Sequence, residues 1–201
     1  MEVSADAVVD VVFGLEGTSV PADYAYELWR EVRRRLPWFV DEALAGIHPL
    51  KTSPGGDGVV LLARRAKLML RLPERRIGDA LALAGSTLDV GTGLAVSGGA
   101  AKPLHPWHTL HAQRVATAAR DEAAFGDEVA RWLAARAVVC EFITGRRRTQ
   151  HAGTREIAGF SVVLHGVKPA DSLSLQFEGM GAERGLGWGL FVPYKSILAV
   201  V

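Results

Sequence analysis

The chain of 201 residues contains one cysteine, Cys140, so no disulfide within the chain can staple it. A reducing, cytoplasmic location is expected. Long hydrophobic runs are missing as well. Val8 to Leu15 is strongly apolar, yet Asp10 and Gly14 break it well short of the roughly 18 residues of a membrane-spanning helix. The first residues lack the basic start and apolar core of a secretory signal, so neither export nor a membrane partner is expected. Nor is charge of either sign in excess. The 23 Lys and Arg stand against 22 Asp and Glu, unlike the strongly basic surface of a protein that covers duplex DNA. The imbalance is local: residues 1–100 hold 11 basic and 13 acidic side chains, residues 101–201 hold 12 and 9, which allows a phosphate-binding face in the C-terminal half. Apolar surface is what the chain does have. With 49% hydrophobic residues it can offset the entropy of ordering, which excludes a disordered protein.

The apolar pattern sorts the chain into elements. Val8 to Leu15 reads as a buried strand. Pro21 suits a first helical turn, and Ala25, Leu28, Trp29, Val32 and Leu36 form a stripe that Pro37 stops. Residues 38–57 read as a long irregular connection. Strands are expected over about 58–64 and 67–72, the second with Leu68, Leu70 and Leu72 on one face and Lys67, Met69 and Arg71 on the other. A helix over about 75–84 ends at Gly85, and a strand starts near Ser86. That βαββαβ order is the ferredoxin-like arrangement.

Gly91 to Pro106, rich in Gly and Pro, reads as a connection, after which the order begins again. A strand is expected over 109–116, a helix over 121–137, and strands over 138–143 and 157–164 around a basic loop. In 169–178, Leu173, Leu175 and Phe177 alternate as in a strand, but Pro169, Asp171 and Ser172 look like a helix start and favour a helix. A last strand lies near Leu190 to Pro193. The fold class expected is α+β, two tandem ferredoxin-like halves spanning 1–95 and 96–201.

Several features could carry chemistry. Glycines 179, 181, 185, 187 and 189 surround Arg184 just before the last strand. Backbone N–H groups in such a loop can bind phosphate, although tight turning alone would also select glycine. It lacks the Lys-Ser/Thr end of a P-loop and the strand–helix setting of a dinucleotide fingerprint. Among six histidines, His48 lies in the loop after the first long helix and can exchange a proton near neutral pH. It could equally anchor that loop against Pro49. Lys51 could steady phosphate charge, and Tyr26 shares a helix edge with Arg30 and Arg33. His105, His108 and His111 recur every three residues, a spacing that alternates faces on an extended segment, and no Cys pair supports them. No metal and no cofactor are expected. Arg146, Arg147 and Arg148, with His151 and Arg155, fill the expected hairpin loop as either solvated charge or phosphate ligands. Gly159-Phe160-Ser161 lacks the second glycine of a nucleophile elbow.

A Gly-rich loop with an embedded Arg before the last strand of a tandem ferredoxin-like protein resembles the signature of the repeat-associated RNA-binding superfamily of CRISPR systems. More narrowly, Val9 to Phe13, Leu36-Pro37-Trp38, Gly46 to Leu50, Gly145 to Arg148, Gly159-Phe160-Ser161 and Gly185 to Lys195 resemble the Cas-six family of CRISPR RNA-processing endoribonucleases, in its Myxococcus-type branch. The tail is the specific part of that likeness. The resemblance implies RRM-like ferredoxin halves, the first carrying the catalytic residues and the second the Arg hairpin and Gly-rich loop. It implies cleavage of precursor CRISPR RNA within repeats by metal-independent attack of a 2′-hydroxyl, giving 2′,3′-cyclic phosphate and 5′-hydroxyl ends, with the guide RNA retained.

The implied catalytic residues are His48, Lys51 and Tyr26. The implied RNA-binding residues are Arg146, Arg147, Arg148, Arg155, Arg184, Gly185, Gly187, Gly189, Tyr194 and Lys195. Tyr194 departs from the branch, where a histidine is expected after Pro193; a tyrosine there suits base stacking rather than proton transfer. The implied partners are CRISPR repeat RNA, as precursor and as guide, and other CRISPR effector-complex proteins. Two other readings stand beside this one: a non-cleaving RNA-binding subunit of an effector complex, and a tandem module for a small ligand or protein. The basic segment and Arg184 argue against the last.

Overall fold

The computed structural model describes residues 7–195. They form two compact units: residues up to Leu104 with His151–Arg155 and Arg184–Gly187, and His105–Gln150 with Glu156–Glu183 and the residues from Trp188 on.

The first unit contains β1 (Val8–Glu16), β2 (Ser19–Pro21), α1 (Tyr24–Arg35), β3 (Gly46–Ile47), β4 (Thr52–Pro54), β5 (Val59–Leu62), β6 (Lys67–Pro73), α2 (Ile77–Leu81), β7 (Thr87–Asp89) and β8 (Gly93–Pro103). Its main sheet has the order β3-β6-β1-β8-β7. With β1, β3, β6 and β8 taken as first to fourth strand, that is the ferredoxin-like order with β7 added at one edge. Period-two alternation explains the core. Val9, Val11, Phe13 and Leu15 on β1 and Leu68, Leu70 and Leu72 on β6 are buried with Leu28 and Val32 of α1. The opposite face of these two strands carries Asp10 and Arg71, which are direct partners in the antiparallel register.

Several expectations change here. The strand at 59–62 exists, but it joins a separate three-stranded sheet, β2-β5-β4. The second strand of the ferredoxin-like order is the two-residue β3, too short to show any period inside a segment read as irregular. The Gly- and Pro-rich stretch is not a connection, because residues 93–103 are β8 and pair along β1. Its small residues make room for large neighbours: a Cβ on Gly99 would lie 2.5 Å from the Phe13 ring. The expected boundary at 95/96 thus falls inside β8, and the chain divides after Leu104. The helix read over 75–84 is a 3-10 turn at Glu74–Arg76 followed by the short α2.

The second unit contains β9 (Thr109–Ala116), α3 (Glu122–Ala134), all but the hairpin end of β10 (Glu141–Ala152) and of β11 (Arg155–His165), α4 (Pro169–Glu178) and β12 (Phe191–Pro193). The order β10-β11-β9-β12 is again ferredoxin-like. Asp121 caps α3 by accepting from the Ala124 N–H at 2.9 Å. The 169–178 segment is a helix, as its start residues indicate. The core gathers Leu110, Ala112, Phe125, Val129, Phe160, Val162, Leu164, Leu175 and Phe191, and the Phe125 and Phe160 rings stack at 5.2 Å. The basic triplet is not in a loop. β10 runs through Arg146–Arg148 to Ala152, and the turn falls at Gly153 and Thr154. This edge strand is polar and charged over that stretch, so no apolar alternation marks it, while its charges protect the open edge. Among the described residues no helix is long and apolar enough to cross a membrane.

Phe125→Ala removes a fully buried ring, and is expected to lower the unfolding free energy by about 3–5 kcal/mol in urea titration. A loss below about 1 kcal/mol would contradict a tightly packed second core.

Candidate functional site

The charged partners on the outer face of the first sheet form the most constrained polar cluster of that unit. Arg71, fully buried, grips Asp10 with two bonds, Nε to Oδ1 at 2.9 Å and Nη2 to Oδ2 at 3.0 Å. His48 Nε2 lies 3.0 Å from Asp10 Oδ1. Backbone bonds hold the histidine there: its N–H donates to Met69 O at 2.9 Å, extending the β3–β6 pairing by one residue. Two residues on, the Leu50 N–H donates to the Tyr24 hydroxyl at 2.8 Å. Arg184 enters from a 3-10 turn of the Gly-rich loop, and its Nη2 donates to Leu44 O at 2.9 Å.

The electrostatics follow from burial and pairing. Burial opposes an ionised Asp10, but the hydrogen bond and charge of His48 and the guanidinium of Arg71 outweigh it and hold the carboxyl well below the usual carboxylate range. Burial pushes the His48 imidazole down; Asp10 pulls it partly back, and the charges of Arg71 and Arg184 lower it again. Burial, then the charge of Arg71, brings Arg184 down to about 10 against the pull of Asp10. At neutral pH the cluster holds an ionised Asp10 and a neutral His48. A carboxylate only accepts, so Nε2 carries the ring proton and Nδ1 keeps its lone pair. A base oriented by a third group has this form.

The Gly-rich loop owes its glycines to packing as much as to exposure. A Cβ on Gly185 would stand 2.6 Å from Trp29 Cδ1, and one on Gly187, where φ is +83°, would stand 3.1 Å from Pro49 and 3.2 Å from Ile47 O. The Gly187 N–H donates to Arg184 O and the Gly189 N–H to Arg114 O, so both amides are engaged within the protein. Tyr26 sits on α1 beside Trp29, ring centroids 5.7 Å apart, with the hairpin turn at Gly153 against it. Arg33 covers the Trp29 ring at 4.1 Å. Lys51 is exposed just before β4. Arg146, Arg147, Arg148 and Arg155 are exposed along the β10–β11 hairpin, and Arg147 donates to Arg120 O at 3.2 Å. Tyr194 and Lys195 are exposed after β12. Within the first unit, then, the fold brings His48 into the electrostatic reach of Arg184.

Comparison with known proteins bears on what such a chain is. A family model described as Cas6 Crispr matches residues 9–196. The CRISPR-associated endonuclease Cas6 of Myxococcus xanthus (strain DK1622) is 33% identical over 187 residues, 92% of this chain and 81% of that protein. The chain belongs to the Cas6 family. Solved structures of like fold include a Cas6-related protein from Pyrococcus furiosus, with a TM-score of 0.67 at 13% identity over 94% of this chain and 99% of that one. Another is Thermus thermophilus Cse3 bound to an RNA representing a pre-cleavage complex, with a TM-score of 0.56 at 16% identity over 92% of this chain and 98% of that one.

In this Cas6 family member the residues missed by sequence reasoning are Asp10 and Arg71. A carboxylate inside an otherwise apolar strand was the available signal, but its partner lies 61 residues away and only the strand register joins them.

His48 gives a pH test. Its folded-state pKa lies below the ordinary value of about 6.5, so the unfolded chain binds the extra proton first and the folded state loses stability as pH falls through that value. His48→Gln keeps an amide donor for Asp10 and does not titrate. Urea unfolding of this variant is expected to change less than that of the wild type between about pH 7 and pH 5. Equal slopes would contradict a neutral, buried imidazole.

Proposed function

We propose that this Cas6 family member is an endoribonuclease that cuts precursor CRISPR RNA within its repeats without a metal ion and keeps the mature guide RNA. The observation that carries the reading is the oriented His48: Asp10, locked by Arg71, accepts from Nε2 across 3.0 Å and leaves Nδ1 as the base. In the proposed reaction Nδ1 takes the proton of a 2′-hydroxyl. The 2′-oxygen forms a bond to the adjacent phosphorus while the bond from phosphorus to the 5′-oxygen breaks. The products are a 2′,3′-cyclic phosphate and, once the leaving oxygen gains a proton, a 5′-hydroxyl. Lys51 is the proposed cation for the charge that builds on the phosphorane, and Tyr26 a hydrogen-bond partner.

Family membership and the exposed cations support RNA as the substrate. Arg146, Arg147, Arg148, Arg155 and Lys195 are the proposed phosphate ligands, with Tyr194 stacking on a base. Arg184 and the loop shaped by Gly185, Gly187 and Gly189 complete the proposed interface. Other CRISPR effector-complex proteins are the further partners this reading includes, in the cytoplasm.

The burial of His48, 6% exposed, favours a second reading: a non-cleaving subunit that binds the RNA of an effector complex. A single-turnover assay on repeat RNA at saturating protein separates the two. His48→Ala is expected to bind the repeat nearly as the wild type does and to cut it roughly 10²–10⁴-fold more slowly. Cutting at the wild-type rate would remove His48 from the mechanism, and an intact repeat with the wild type would leave the second reading.

Replacing Arg146, Arg147 and Arg148 together with Gln is expected to weaken RNA binding and flatten its salt dependence. The slope should fall by roughly 0.7 for each phosphate of a single strand that the three guanidinium groups neutralise in the wild type. An unchanged salt titration would show the three side chains to be solvated surface.

A further inference from the structure

Within the second unit both helices, α3 and α4, pack on the same face of the sheet. Leu110 and Ala112 on β9, Val162 and Leu164 on β11 and Phe191 on β12 point into the core with α3 and α4. Their alternates therefore lie on the other face: His111, its register partners Val163 and Val192, and the paired Thr109 and His165. These side chains are rich in rings. The His111 and Tyr194 rings lie 5.1 Å apart at 57°, and Tyr194 is 41% exposed. The His108 and His165 rings meet edge to face at 5.1 Å, with His165 Nδ1 held by the Thr109 hydroxyl at 2.8 Å. A positive charge adjoins the rings. Arg148 is close enough that its charge, after burial, lowers the pKa of His111. Arg146 shares its face of β10, and both guanidinium-bearing side chains are exposed.

We infer that this second face, at the exposed Tyr194, binds unpaired nucleotides of the RNA, one base stacked on Tyr194 and His111 and its phosphate at Arg148. The inference rests on the proposed RNA substrate and narrows it to a single-stranded segment. The reason is steric. Bases inside a duplex have their faces covered by neighbouring bases, so a ring on a sheet surface can reach only an unstacked one. Val163 and Val192, the register partners of His111, are partly buried, and the exposed arginines of β10 match a phosphate chain rather than an apolar protein surface.

Fluorescence anisotropy with a labelled twelve-nucleotide oligouridylate and a blunt RNA duplex tests this. The ratio of single-strand to duplex affinity is expected to fall roughly 5- to 150-fold in Tyr194→Ala, the usual worth of one stacked base. Tyr194→Phe keeps the ring and should restore the ratio to within about threefold. Arg148→Gln should instead reduce the salt slope for oligouridylate by roughly 0.7. A Tyr194→Ala ratio equal to wild type, or no restoration by Phe, overturns the stacking site. The result is separable from the enzymatic reading, because repeat cutting by the wild type is scored in the same preparations. Cutting with an unchanged Tyr194→Ala ratio removes only the site, whereas a wild type that binds none of these RNAs and leaves the repeat intact removes both.

Discussion

The Asp10 carboxylate lies inside the protein, and much of the first unit is organised around keeping it paired. An uncompensated buried charge costs several kcal/mol, and removing one member of such a pair typically costs about 3–5 kcal/mol. Arg71 meets that requirement with two bonds from the directly opposed position on β6. The pairing also fixes register. A slip of one residue between β1 and β6 would set Asp10 opposite Leu70 or Leu72, turning either the carboxylate toward the core or the leucines away from it. His48 then takes a second acceptor direction of Asp10 Oδ1, which sets its tautomer and aims its second nitrogen. Strand register, loop position and imidazole chemistry are consequences of one buried ion pair.

The two units share a strand order but offer different side chains. In the first, the outer sheet face is closed over a charged cluster, with the Gly-rich loop laid against Trp29 and Pro49. In the second, the face opposite α3 and α4 carries histidines and Tyr194, with the exposed arginines on β10. One arrangement suits proton transfer in a shielded setting and the other suits holding a polyanion, so the proposed division of labour follows from what each sheet does with its second face.

Sequence periodicity revealed the elements whose side chains are large and regular. β1, α1, β6, β9 and α3 were legible, because each repeats an apolar residue at the spacing its geometry requires, whereas the 169–178 helix was legible from its start residues Pro169, Asp171 and Ser172. β8 was hidden by its own function in packing, since glycine and alanine make room for Phe13 and carry no hydrophobic signal. β3 is two residues long, and the Arg triplet lies on a strand whose exposed edge is charged. The prominence of His48 could be read from its residue type and setting. Its partnership with Asp10 could not, because 38 residues and a strand register separate the two. The glycines of the tail were legible as a motif, while the close approach of Gly185 to Trp29 needed three dimensions.

Mapping the ends of repeat RNA cut by the purified wild-type protein in EDTA tests the account most directly. Products ending in a 2′,3′-cyclic phosphate and a 5′-hydroxyl are predicted, formed at the same rate with or without added divalent cation. A 5′-phosphate product, or cutting that needs the cation, would contradict attack by the RNA's own 2′-hydroxyl from an oriented imidazole.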